Sequence, residues 1–458
     1  MKKNNVLTAV VIVLYGMFFL PWLDWSIQIQ AVSALVMIQI LWIGRVFPLA
    51  FSSILLILLL SFHFFSYDET LSFFGSELVW LLFSTFILAH AFIQTGLAGR
   101  VSLSILRLCK GSGRLLIFIS FALMFVLTVF IPSNIGKGSL ISSILDDISQ
   151  RLQSVQFTPN LSKSMFIGIS YVSAISAAFV PTGASSTIYA FGIFSEVSSE
   201  MTYVHWLLYL GAPILVFVFL LGGLLELFFP AEKVNHELVK HLLNTKFVQL
   251  GAWTWPEIKM TIISGIILLL WMTQSLHDYS IPLVGLLGAV LTVLPYSGVL
   301  TWEQAKKGIN WDMMIFFAAT LMLSNMLIST DTIDIFASYV SSLSNHYPSL
   351  ILVLTLIIFT ALIRIIFVNV LGFLTIMLPL SVTLGEQITG ISPLSLGMAV
   401  YLTGVPGFIL VTQSPVHLIS YSYGYFTEKD LWKVGSAALV VWVGLIFASF
   451  FFYWNHII

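Results

Sequence analysis

The chain has 458 residues, 59% of them hydrophobic and only 9% charged, with a formal net charge of −1. A water-soluble chain carries about a quarter charged residues, so this composition excludes an ordinary soluble domain, and the near-zero charge gives no footing for nucleic acid. The single cysteine, Cys109, excludes a disulfide framework.

The apolar residues gather in runs of the roughly 17–25 residues that an α-helix needs to cross a bilayer; 47–65, 115–131 and 206–229 are examples. These runs do not alternate polar with apolar, which excludes a membrane barrel. The chain therefore reads as an all-α integral membrane protein. Residues 1–24 are the first transmembrane helix: Lys2 and Lys3 precede an apolar run too long for a cleaved signal. Residues 25–230 form a first repeat, interrupted by a re-entrant hairpin at 115–150. Residues 231–260 mix charges with Leu, Val and Trp as an amphipathic linker on the cytoplasmic surface does. Residues 261–458 form the second repeat, with a hairpin at 349–385. Trp22, Trp25, Trp302 and Trp311 read as interfacial anchors.

Basic residues near spans prefer the cytoplasm. With the N-terminus inside, seventeen of the nineteen Lys and Arg fall on cytoplasmic segments, Arg45, Arg100, Lys163, Lys246 and Lys306 among them. The opposite segments (66–77, 196–203, 277–279, 331–348 and 385–393) hold acids such as Asp68, Glu200 and Asp334 but no Lys or Arg. This threading works only if each hairpin region enters and leaves on one side. Reading each hairpin as two ordinary spans keeps the same loop sides, so charge alone does not choose between them.

The two remaining cations, Lys137 and Arg364, lie inside the hairpins, and comparing the hairpins exposes a duplication. Ile131-Pro-Ser-Asn-Ile-Gly-Lys137 aligns with Phe367-Val-Asn-Val-Leu-Gly372 on Asn134 and Asn369. Trp80 pairs with Trp311, and the segment Val180–Gly192 with Thr412–Gly424, all at an offset of roughly 230 residues, a duplication of the kind transporters carry. Each copy holds five transmembrane helices and one re-entrant hairpin, after one extra N-terminal helix. Five is odd, so the second copy is inverted, the N-terminus is cytoplasmic and the C-terminus external. Inverted repeats with helices broken at the midplane signify secondary transport. Exposed helix N-termini at the breaks suit an anion, although Ser133 and Asn134 also have the plain role of helix caps.

At these residues the chain resembles the divalent anion:sodium symporter family, whose members carry dicarboxylates, citrate or sulfate. The resemblance runs over about 78–230 and 280–440. It rests on Gly111-Ser-Gly-Arg114, Ser133-Asn134, Ile309-Asn-Trp-Asp312, the Asn369 region, and Thr412-Gln-Ser-Pro415 through Gly424, with Thr427–Gly435 after it. It implies a homodimer in the cell membrane that works by an elevator movement and takes a small anionic substrate. Sodium is the candidate coupling ion, with no other cofactor. The substrate-contacting residues it points to are Ser133, Asn134, Ile135, Lys137, Thr182, Gly183, Asn369, Val370, Ser414, Pro415 and His417. The family has a Ser-Asn-Thr triplet at each tip. Here the tips read Ser133-Asn134-Ile135 and Val368-Asn369-Val370, so three of four hydroxyl side chains are missing.

A charge at mid-membrane costs on the order of 3 kcal/mol or more and persists when paired or used. Lys137 and Arg364, near the tips with Ser133, Asn134 and Asn369, are candidate ion-coupling residues or replacements for bound sodium, which would permit exchange, uniport or proton coupling. The plain alternatives are that Lys137 pairs with Asp146 or Asp147 and that Arg364 reaches the external interface. An intramembrane enzyme would need a catalytic cluster that the sequence lacks, and no phosphate-binding Gly-x-x-x-x-Gly-Lys loop is present. A channel and a cation/proton antiporter remain as rival transport readings.

Overall fold

The computed structural model describes residues 2–20, 23–342 and 347–458. Among them every regular element is a helix, the form that satisfies its own backbone in lipid. Trp22 and residues 343–346 lie outside the described residues. Among the described residues eight helices are long and apolar enough to cross a membrane, and four more apolar helices are shorter.

Helix α1 (Lys2–Phe18) is followed by α2 (Ile27–Gly44), α3 (Leu49–His63), α4 (Glu77–Gln94) and a short amphipathic helix, α5 (Leu97–Leu106). The first hairpin consists of α6 (Gly113–Phe130) and α7 (Asn134–Gln153). Pro132 makes the break between them. It has no N–H to donate and forces Ile131 out of the helical region, where φ is −123° and ψ 91°. Ser133 then restarts the helix as its cap, its Oγ accepting the Gly136 N–H at 3.1 Å. The next span is also broken, into α8 (Pro159–Ala177) and α9 (Ser185–Val197). Gly183 sits in that break because a Cβ there would lie 2.1 Å from the Ala177 carbonyl oxygen. Helix α10 (Tyr203–Phe228) closes this half.

The linker is only partly helical. Helix α11 (His236–Gln249) rests Val239 and Leu243 against α5 and α7 and ties its Lys246 to Asp147 at 2.9 Å. The chain turns at Gly251, with φ +67°, and α12 (Trp255–Met272) starts within the stretch read as linker. A Thr254/Glu257 capping box opens it. There follow α13 (Ile281–Val293), α14 (Trp311–Ser329) and a second short amphipathic helix, α15 (Thr332–Ser342). The second hairpin is α16 (Ser349–Arg364) and α17 (Val370–Gln387), then the broken span α18 (Pro393–Gly404) and α19 (Pro415–Ser422), and finally α20 (Glu428–Ser449). Both hairpins extend two to three residues past the expected ends. No proline breaks the second hairpin. Its non-helical turn, Ile365–Asn369, ends where the Asn369 Oδ1 accepts from Leu371 N at 2.9 Å.

Among the described residues one ion pair is well buried. Arg100 on α5 meets Glu257 at 2.7 Å, with side chains 3% and 5% exposed. The same guanidinium donates to the carbonyls of Leu250, Gly251 and Ala252, pinning the α11–α12 turn to α5. Removing one partner of such a pair leaves a buried charge without compensation. Arg100→Met is therefore expected to destabilise by about 3–5 kcal/mol, read as a lowered unfolding midpoint in detergent. Arg107→Met on the exposed surface should cost no more than about 1 kcal/mol.

Candidate functional site

Both hairpin turns and both broken spans meet around one cavity of about 540 Å³. Four helix N-termini reach its wall: α7 at Asn134, α9 at Ser185, α17 at Val370 and α19 at Pro415. Each contributes the positive end of a helix dipole, and α7, α9 and α17 also bring first-turn amide N–H groups; α19 begins at Pro415, which has none, and its Val416 N–H is taken by Ser414. Three ends are capped by a side chain, from Ser133, Asn369 and Ser414. The exception is α9, whose N-cap Ala184 has no side-chain acceptor. The lining includes two cationic side chains, Arg45 and Arg364, and no acid. A space built of helix N-termini and arginine, without a carboxylate, attracts anions.

Of the residues singled out in the sequence, Ser133, Asn134, Ile135, Asn369, Val370, Ser414, Pro415 and Arg364 line this cavity. Asn134 also has a buried Oδ1 with no hydrogen-bond partner. Arg364 is 2% exposed and does not reach an interface. Its Nε donates to Gly404 O at 2.6 Å, Nη1 to Phe367 O and Nη2 to Gln413 O at 3.4 Å. One guanidinium thus gathers carbonyls from the hairpin turn and from both sides of the α18–α19 break.

The other four lie off the cavity wall. Lys137 is fully buried, its Nζ donating to Thr128 Oγ1, which also meets Ser176 Oγ at 3.1 Å. The carboxylates considered as its partners are engaged elsewhere: Asp146 with Tyr425 at 2.7 Å, Asp147 with Lys246 and Arg151. Thr128 in turn adjoins Gly183, so the Lys137 Nζ sits behind the first tip, beside the α8–α9 break. Thr182 is buried and faces a separate small cavity with Thr85, Pro132 and Trp271. His417 is buried, its Nδ1 3.2 Å from Leu410 O and its ring against Tyr171.

Several lining residues were not picked out from the sequence: Ser185 and Ser186 at the start of α9, Gln39 and Trp42 on α2, and Arg45 just past its end. The two serines follow Gly183-Ala184 directly within a repeated segment, a signal that was there to read. Gln39 and Trp42 lie three apart on one face of α2 and Arg45 caps its end, which shows only once the face is known to border a cavity.

The whole chain, residues 1–458, matches the family described as the sodium:sulfate symporter transmembrane region. The chain belongs to that family. It is a multi-pass membrane protein of a transporter family. A citrate/succinate antiporter of Escherichia coli K12 is 24% identical over 81% of this chain and 77% of its own length. An L-tartrate/succinate antiporter of the same organism is 24% identical, covering 82% and 77%. The putative malate transporter YflS of Bacillus subtilis is 27% identical over 60% of this chain, which spans 59% of that relative. Among solved structures, the YdaH transporter of Alcanivorax borkumensis shares the fold at TM-score 0.53 and 13% identity, covering 82% of this chain and 85% of that one.

The cavity can be mapped by accessibility. In a Cys109→Ser background, cysteines placed at Ser185 and Val368 are expected to react with a water-soluble maleimide in native membranes. A cysteine at His417, on the buried face of α19, is expected to stay unreacted.

Proposed function

We propose that this protein exchanges small di- or tricarboxylates across the cell membrane by an elevator-type movement, without sodium, using Arg364 and Lys137 as fixed cations. The observation that carries the reading is the acid-free cavity walled by four helix N-termini and the Arg364 guanidinium. Cavity chemistry alone gives an anion. The carboxylate class and the exchange mode are supported by relatives named as citrate/succinate and tartrate/succinate antiporters.

The sodium-free part rests on what the two buried cations do. Arg364 holds carbonyls at the second tip and at the α18–α19 break, and Lys137 sits beside the α8–α9 break. Those are positions where oxygen ligands could otherwise surround a metal cation. With positive charge built in, a dianion can be bound without recruiting an ion from solution. The family name, sodium:sulfate symporter, favours the second reading, sodium-coupled symport.

An inverted duplication, 25–230 against 261–458, is supported by reciprocal packing: α4 runs along α13 as α14 runs along α3. It is supported further by α5 and α15, short amphipathic helices that follow α4 and α14 at matching places. In this reading the moving body comprises the hairpins, the broken spans, α10 and α20; the stationary body comprises α1–α4 and α12–α14. Two copies would associate through the latter. Arg45, Pro48 and Asn310 line the cavity and are exposed; the charge distribution supports a cytoplasmic side for these loops, and in this reading the conformation is inward-facing and the C-terminus external.

Two measurements test this reading. Succinate or citrate at a hundredfold excess over Kd should stabilise the purified protein by about 2.7 kcal/mol in a thermal-shift assay, equally in sodium and choline buffers. In proteoliposomes, replacing sodium with choline should leave counterflow unchanged, while Arg364→Ala should reduce it at least about tenfold, the loss expected for one charge-assisted contact. Strict sodium dependence of the unmodified protein overturns exchange by fixed cations in favour of symport.

A further inference from the structure

The hairpin amides that the caps leave over lie largely on branched apolar residues. At α7, Ser133 Oγ takes the Gly136 N–H, and the N–H groups of Asn134 and Ile135 have no acceptor among the described residues. At α17, Asn369 Oδ1 takes the N–H groups of Leu371 and Gly372, which leaves that of Val370. Cα–Cβ bonds tilt toward a helix's N-terminus, so the Ile135 and Val370 side chains lean over the very ends that a carboxylate approaches. Both line the cavity, as does Val368 in the second turn, and Ile135 is 50% exposed. A carboxylate held by either amide therefore sets its neighbouring carbon against methyl groups. That carbon is where a 2-hydroxy acid carries its hydroxyl.

We propose that the site prefers dicarboxylates whose two carboxylates are joined by plain hydrocarbon, and that Ile135 and Val370, with Val368 beside them, set this preference. The preference rests on the exchange reading above and narrows its substrate class. Oxygen acceptors near the two hairpin turns are already engaged. Asn369 Oδ1 accepts two N–H groups, and Gln413 Oε1 accepts those of Ile409 and Leu410. Ser133 and Ser414 use their oxygens as caps, and Asn134 Oδ1 is sealed within the protein. A hydroxyl moved from water to this wall loses hydrogen bonds without replacement. The start of α9 is different, since Ser185 and Ser186 bring hydroxyls to the cavity there. A substrate with one hydroxyl can turn it toward those serines. Tartrate, with a hydroxyl beside each carboxylate, cannot keep both from the methyl groups.

Dissociation constants would be measured by thermal shift on the purified protein in choline and in sodium buffers. Counterflow of labelled succinate in proteoliposomes would be competed with the same ligands. Succinate is expected to bind at least about tenfold more tightly than tartrate, within the roughly hundredfold that an apolar wall enforces against an added hydroxyl. The steric control is 2,3-dimethylsuccinate of matched stereochemistry, which carries methyls where tartrate carries hydroxyls. It is expected to bind closer to succinate than to tartrate. Val370→Thr exchanges one methyl for a hydroxyl, and Ile135→Thr brings the same group to the first tip. Together they should cut the preference for succinate over tartrate at least about threefold, the effect of one regained hydrogen bond. Tartrate binding as tight as that of succinate overturns the proposal. So does 2,3-dimethylsuccinate binding as weakly as tartrate, which assigns the preference to crowding. A preference unmoved in the threonine variants, at unchanged unfolding midpoints, overturns it as well. If those variants do not fold, the three ligands on the unmodified protein still decide. If no dicarboxylate binds and no counterflow is seen, the exchange reading itself fails, and the preference with it. Selectivity that appears only with sodium removes exchange by fixed cations and leaves the preference standing.

Discussion

A peptide group inside a bilayer must find its hydrogen-bond partners within the protein, and this fold interrupts four helices where that requirement is hardest to meet. Each interruption leaves first-turn N–H groups without carbonyls to receive them. Side-chain caps from Ser133, Asn369 and Ser414 take some of these groups, and the first turn of α9 goes without. The four ends share a single cavity, so their residual positive potential adds in one place. An anion answers that potential, and the cavity contains no carboxylate to answer it from within.

The two halves reach their breaks by different chemistry. Pro132 ends α6 because it lacks an N–H and restricts the residue before it. The second hairpin has no proline at the corresponding place, and Arg364 organises the turn through its five fixed donors, three of its nitrogens reaching carbonyls. A buried arginine satisfied only by backbone oxygens retains its full charge, and nearby negative charge on a substrate becomes its natural complement. Lys137 differs in position and partner, lying behind the first tip against Thr128. The two halves therefore carry unlike cations at unlike positions, in line with tips that read Ser-Asn-Ile and Val-Asn-Val.

Much of this was legible beforehand because hydropathy, charge asymmetry and proline act locally. The helical membrane fold and the helix breaks at Asn134 and Asn369 follow from such signals. The fates of Lys137 and His417 did not. Both lie near a tip in sequence, yet helical rotation turns Lys137 toward α6 and α8, and His417 toward Tyr171. Arg364 looked equally suited to an interface, and only the fold shows carbonyls from Gly404 and Gln413 surrounding it. The α2 residues were hidden for a different reason: nothing in a hydrophobic helix announces which face borders a cavity formed by segments some 300 residues away.

The central claim is that an anion sits where the four helix N-termini converge. A structure determined with succinate in sodium-free buffer tests it most directly. The account predicts carboxylate oxygens about 2.7–3.0 Å from first-turn amides of α7 or α9 and within reach of Asn134, Asn369 and Ser186. Succinate bound only outside this cavity, or bound at the tips only after sodium is supplied, would contradict it.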